Sequence, residues 1–180
     1  MRTRNLPSHW THNRIRRVAL LLATVLLLLS GAAARAEERP RIAVFGFQLI
    51  DTSPAPPTPE ERDRTRRLGE ALGEALQRSG RYEVVDIAPV RAKLAGMAEI
   101  RDCNGCERAL ARELGASQAA YGWVQKVSNL ILNLNLVIED VASGHILHAG
   151  SVDIRGNTDE SWFRGLKFLL EEHVFDTTPS

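Results

Sequence analysis

Cys103 and Cys106 are the only cysteines in this chain, and just two residues separate them. A C-x-x-C pair supports three kinds of chemistry. It can close a local disulfide, exchange disulfides with a partner, or supply two of the four ligands of a zinc ion. The structural disulfide leads, because the chain carries an export signal to an oxidising compartment and no thioredoxin-like pattern surrounds the motif. Exchange chemistry has one point in its favour: Cys106 falls at the start of a predicted helix, where the positive end of the peptide dipoles favours a thiolate. Zinc would need two further ligands, and Glu107 in place of a histidine after the motif excludes c-type haem attachment. No cofactor is expected.

The other candidates are polar. His145 and His148 have the look of a metal pair, but residues three apart on a strand point to opposite faces, so they read as solvent-side hairpin residues. His173 reads as a cation meeting the negative end of the last helix. Asp51 and Ser53, Lys126 and Asn129, and Arg155, Asn157 and Asp159 stand at the ends of three predicted strands. Lys126 alone would be an ordinary strand-end charge. No G-x-S-x-G elbow, P-loop or G-x-G-x-x-G is present, so no nucleophile, base and orienter come as a set, and the chain reads as non-enzymatic.

Whether those residues meet depends on the elements that carry them. Ile42 to Phe47 is a short, almost unbroken apolar run, the pattern of a central strand covered on both faces. Asp51 to Pro59 holds four prolines and makes a stiff loop. Leu68, Ala71, Leu72, Ala75 and Leu76 follow helical spacing, with Ser79-Gly80 as the stop. Tyr82 to Ile87 reads as a strand, Pro89 to Ala98 as a helix, and Glu107 to Leu114 as another ending at Gly115. Ala119 to Val127, Leu130 to Glu139 and Ile146 to Ile154 follow as strands, joined by turns at Ser128-Asn129 and Asp140 to Gly144. In the second of these, Leu132, Leu134 and Leu136 alternate with Asn133 and Asn135, so one face is buried and the other wet. A last helix runs from about Thr158 to Val174, with Asn157 as its cap, Glu160 completing the capping box, and Trp162, Leu166 and Leu169 turned to the core.

This order constrains the topology, because crossovers between parallel strands are right-handed. It predicts an α/β fold, a three-layer α/β/α sandwich around a five-stranded mixed sheet of order 2-1-3-4-5, with strand 4 antiparallel. The carboxyl ends of strands 1, 3 and 5 then share one edge, at the kind of switch point where open α/β sheets bind ligands. Asp51, Ser53, Lys126, Asn129, Arg155, Asn157 and Asp159 are therefore the expected partner-binding residues. Arginine and tryptophan are hot-spot types, which adds weight to Arg155 and Trp162, and the wet face of Asn133 and Asn135 is the next candidate.

Charge and targeting narrow the partner. The chain has 180 residues, with 23 basic and 22 acidic side chains. Residues 1–36 contain six arginines and no acid, so the remaining 144 residues carry a formal charge of −5. That balance argues against nucleic acid, which needs a basic face. Arg14, Arg16 and Arg17 precede an apolar run from Val18 to Leu29, and Ala34-Arg35-Ala36 is a small-x-small cleavage site. Residues 1–36 thus read as a signal peptide and residues 37–180 as one domain. The run is shorter than the roughly 20 residues that span a bilayer, and no cysteine adjoins the cleavage site for lipid attachment. The expected product is periplasmic, has no stable membrane insertion after cleavage, and meets a periplasmic protein partner.

Arg41 to Phe47, Ser79 to Asp86, Leu114-Gly115-Ala116 and Glu139 to Gly144 resemble the amino-terminal domain of the Tol-Pal protein TolB and the related curli-secretion lipoprotein CsgG. Cys103-Asn104-Gly105-Cys106, Gly122 to Asn133 and Asp153 to Trp162 are similar to a small exported proteobacterial family that is known only as a domain of unknown function. The resemblance spans the mature chain. It implies the TolB-type fold and a periplasmic address, and an accessory role in an envelope or quinoprotein alcohol dehydrogenase system; it assigns no reaction. The TolB propeller has no counterpart here. A thiol-disulfide or metal-handling accessory acting through Cys103 and Cys106 is the alternative.

Overall fold

The computed structural model describes residues 38–97 and 99–176. The signal peptide expected over residues 1–36 lies outside the described residues.

Strand β1 (Arg41–Asp51) forms the middle of the sheet, because Ile42, Ala43, Val44, Phe45 and Phe47 present apolar side chains to both of its faces and all are buried. It is flanked in parallel by β2 (Glu83–Val85) and β3 (Gln118–Lys126). β4 (Leu132–Asp140) pairs antiparallel with β3, and β5 (Ile146–Ile154) antiparallel with β4. The sheet order is β2-β1-β3-β4-β5, as the handedness argument requires.

Helix α1 (Pro59–Arg78) begins with a capping box. The Thr58 side chain accepts from the Glu61 N–H, and the Glu61 carboxylate accepts from the Thr58 N–H. Its apolar stripe, Leu68, Leu72 and Leu76, is fully buried on one face of the sheet with Ile42, Leu134, Leu136 and Ile138. Helix α4 (Asp159–Leu169) adds Trp162, Leu166 and Leu169 to the same core. Each such leucine contributes about 2 kcal/mol by leaving water, so this layer dominates the stability of the fold. The opposite face holds a smaller core of Ala43, Phe45, Val90, Ile100, Leu110, Ala111 and Val141. Among the described residues only α2 (Arg91–Ala95), α3 (Cys106–Glu113) and two single 3-10 turns lie on that side, so Asn133 and Asn135 of β4 stay half-buried.

Close approach fixes the packing of α1. Gly46 has φ +79°, at an irregularity where the β1–β3 register shifts, and a Cβ on Gly69 of α1 would lie 2.9 Å from the Gly46 Cα. Glycine is needed on both sides.

Three local expectations change. The helix predicted from Pro89 to Ala98 is a 3-10 turn (Ala88–Val90) and one short helix, which Gly96 ends. Thr158, not Asn157, caps α4: its side chain accepts from the Ser161 N–H, and Ser161 takes the place expected of Glu160. Asn157 is left free to reach across to α1. The last helix also ends earlier, at Leu169, and widens into a π-turn (Leu170–Phe175) whose Asp176 N–H reaches the Glu171 carbonyl.

Candidate functional site

The β1–β3 register sets Asp51 directly beside Lys126, at the carboxyl ends of both strands. Lys126 Nζ lies 3.0 Å from Asp51 Oδ2 and 2.7 Å from Glu61 Oε1, and all three side chains are at most 5% exposed. Glu61 is aimed by its cap. With Oε2 held 2.7 Å from the Thr58 N–H, Oε1 turns inward to the ammonium. Asn157 Nδ2 also donates to Glu61 Oε1 and, at 3.2 Å, to Asn129 Oδ1. Arg64 donates to Asn157 Oδ1 at 2.8 Å and to Asp159 Oδ1 at 2.6 Å, and Arg67 meets Asp159 Oδ2 at 2.8 Å. The Arg64 guanidinium lies 5.2 Å from the ring centroid of Trp162, which is fully buried. Ser53 closes the loop locally, its N–H donating to Asp51 Oδ1 at 2.8 Å.

Asp51, Lys126, Asn129, Asn157 and Asp159 are thus brought into one network, from three segments that span more than a hundred residues of sequence. Arg155 stands apart, exposed and outside any hydrogen bond or ion pair among the described residues. Lys126 is not the exposed contact that its strand-end position would offer a partner. Glu61, Arg64 and Arg67 complete the network although spacing does not single them out; the readable signal is the capping box Thr58-Pro59-Glu60-Glu61.

The electrostatics are those of a lock. Burial pushes the Asp51 and Glu61 carboxyls up, but hydrogen bonds from Ser53 and Lys126 to Asp51, and from Lys126, Thr58 and Asn157 to Glu61, leave both below the usual carboxylate range. The Glu61 hydrogen bond raises Lys126, against the opposing effect of burial. Asp51, Glu61 and Lys126 keep their charges near neutral pH, and none of the three is poised to give or take a proton. Beside this lock, the β3–β4 turn exposes Val127, Leu130 and Ile131 at 49%, 74% and 62%. Ser128 shapes the turn, its Oγ accepting from the N–H groups of Leu130 and Ile131 at 3.2 Å. The predicted strand start at Leu130 moves to Leu132, which is why these apolar residues are in solvent.

On the opposite face of the sheet, against the smaller core, Cys103 and Cys106 are bonded as a disulfide, with Cα atoms 5.6 Å apart. Asn104 at φ +55° and Gly105 at φ +100° make the tight turn, and Gly105 places Cys106 as the first residue of α3. Glu107 is buried with an oxygen 3.1 Å from Cys103 Sγ. Burial, the charge of Glu107 and a hydrogen bond with it push Glu139 of β4 up to about 7. Arg108 lies 3.6 Å from Glu107, and burial with both glutamates raises Tyr121 to about 12. Cys103, Cys106 and Glu107 have ligand atoms within 4.8 Å of one another, but sulfurs bonded to each other are not thiolate ligands. The histidines join no such group among the described residues; His148 Nδ1 lies 2.8 Å from the His173 carbonyl oxygen.

Known proteins place the chain as follows. The LpoB C-terminal domain from Salmonella enterica is similar at 16% identity and TM-score 0.48, covering 68% of this chain and 87% of that one. Lipoprotein GNA1162 from Neisseria meningitidis is similar at 20% identity and TM-score 0.46, covering 66% of this chain and 81% of that one. TolB from Acinetobacter baumannii is similar at 13% identity and TM-score 0.38, covering 68% of this chain but 25% of that one. Among curated proteins none matches. Residues 40–174 match the family DUF3280, described as "Protein of unknown function (DUF2380)", and the chain belongs to that family.

Proposed function

We propose that this protein is a periplasmic, non-enzymatic module that binds an envelope protein through the sheet edge formed by the Asp51 loop, the β3–β4 turn and the segment from Arg155 to Asp159. The observation that carries the reading is the exposed trio Val127, Leu130 and Ile131 on a turn held rigid by buried ion pairs. Exposed apolar residues beside the polar Asn129 and Asn157 have the anatomy of a protein interface, and a pre-formed turn binds without losing chain entropy. Lys126 and Asp51 act in this reading as supports of the surface, with Leu130, Ile131 and Arg155 as its contacts. The address rests on the export signal read in residues 1–36.

A photo-crosslinker at residue 130, expressed in the exported protein, should trap one dominant envelope partner, with a quinoprotein alcohol dehydrogenase as the first to be tested by name. Against the purified partner, the double variant Leu130→Asp, Ile131→Asp should weaken binding by at least about a hundredfold, and Arg155→Ala by about tenfold, with unfolding unchanged. Undiminished affinity in the double variant would sink the proposal. So would loss of binding only to lipid vesicles.

A further inference from the structure

We propose that Cys103 and Cys106 form an exchangeable disulfide that a dithiol reduces, with Glu107 delivering a proton to the departing Cys103 sulfur. A bridge closing so short a loop removes little unfolded-state entropy, so the fold has small need of it. Glu107 and Glu139, by contrast, are costly. Both are carboxyls only 5% exposed, and Glu139 Oε1 has no hydrogen-bond partner among the described residues. Two like carboxyls at such a depth share a site when one of them keeps its proton near neutral pH, and Glu139, raised to about 7 beside Glu107, is the one that keeps it. The Glu107 oxygen 3.1 Å from Cys103 Sγ makes Glu107 the relay from that proton to a sulfur that needs one only when the bridge breaks. Both cysteines are half-buried and so within reach of an incoming thiolate.

The step balances as follows. A thiolate of the dithiol attacks Cys106 Sγ, forming a mixed disulfide; the Cys103–Cys106 bond breaks, and its electron pair leaves on Cys103, which takes the proton held by the glutamate pair. The second thiol of the reductant loses its proton to solvent and attacks the mixed disulfide. The reductant is oxidised to its own disulfide, and Cys106 departs as a thiolate at the first position of α3, where the helix dipole favours it. Two electrons pass from reductant to protein. Glu107 touches a reacting atom; Glu139 is a positioning residue that keeps the proton in the pair. The charged and titratable groups facing them are Arg108 from α3 and Tyr121 from β3.

This inference is independent of the docking edge, since Glu139 lies toward the other end of β4 from Leu132, the partner of Lys126 in the ladder. The test is the rate at which dithiothreitol reduces the mature protein between pH 5.5 and 8.5, divided by the concentration of dithiothreitol thiolate and read by thiol alkylation and mass. The per-thiolate rate constant should fall about tenfold from pH 6 to pH 8, as a group titrating near 7 goes from about 91% to about 9% protonated. Glu107→Gln should give a flat profile, at least about tenfold slower than the parent at pH 6. Glu139→Gln should move the fall to lower pH, because the like charge that raises the pair is gone. A parent profile flat across the range overturns the proposal, whatever the variants do, and so does an unchanged profile in Glu107→Gln. A fall that stays near pH 7 in Glu139→Gln removes Glu139 from the mechanism.

Discussion

Lys126 shows how the place of one residue can be read from the sequence while its partners cannot. Its position at the end of β3 follows from the strand pattern, yet its burial comes from Glu61, a residue on another element. Lys126→Ala would strand two buried carboxylates, and removing one partner of a buried charge set costs about 3 kcal/mol. Urea unfolding at pH 7 should show that loss. Because Asp51 and Glu61 lie below the usual carboxylate range in the fold, their contribution is present above their unfolded values and is lost as pH falls through the folded ones. Lys126 is raised, so its contribution is complete below its unfolded value and fades only in strong alkali. The difference between parent and Lys126→Ala should therefore be constant from about pH 5 to pH 10 and shrink below about pH 4. Glu139 has the opposite sign to the two lowered acids. Its carboxyl is raised to about 7, so stability is fully present below the unfolded carboxylate value and is lost as pH rises through 7. Glu139→Gln should consequently unfold at higher urea than the parent at pH 8, by on the order of 2 kcal/mol, with a much smaller difference at pH 5.

Among the elements, α1 has its stripe and its stop legible in the spacing of Leu68, Leu72 and Leu76 and in Ser79-Gly80, because a helix repeats its neighbours every three or four residues. Its start is equally local: Thr58→Ala removes the side-chain acceptor of the Glu61 N–H and should cost about 1 kcal/mol in thermal unfolding. The segment from Pro89 to Ala98 was harder, since one turn of helix carries too few periodic positions to show its length. Sheet packing sets its own limits. A Cβ at Gly122 of β3 would sit 2.2 Å from Phe47 Cε1 and 2.4 Å from the Asn135 carbonyl oxygen. Gly122→Ala should lower stability by at least about 3 kcal/mol, with a lowered melting temperature as the readout.

For the molecule as a whole, stability rests on the layer under α1 and α4 and not on the bridge. Replacing both cysteines by serine should leave a folded protein that has lost about 2 kcal/mol, the amount expected for opening a loop this short. Circular dichroism and urea titration would check it. Failure to fold would mean that the smaller core around Ile100, Leu110 and Val141 depends on the turn that the bridge holds. The two faces of the sheet carry different chemistry: a charge-saturated lock with an apolar tip beside α1, and a disulfide with a buried acid pair over the smaller core.

The sequence by itself determined the order and type of the main elements, the central place of β1, the sheet order, and the common edge for Asp51, Lys126 and Asn157. Those follow from short-range periodicity, from prolines and glycines, and from the handedness of connections, all of which the chain carries locally. Only the tertiary structure decided that Lys126 is neutralised by Glu61, that Asn157 bridges instead of capping α4, and that Glu107 meets Glu139 beside Cys103. A charge states its sign in the sequence but not its partner, because the partner is chosen by which side chains the packed elements leave facing one another in a space closed to water.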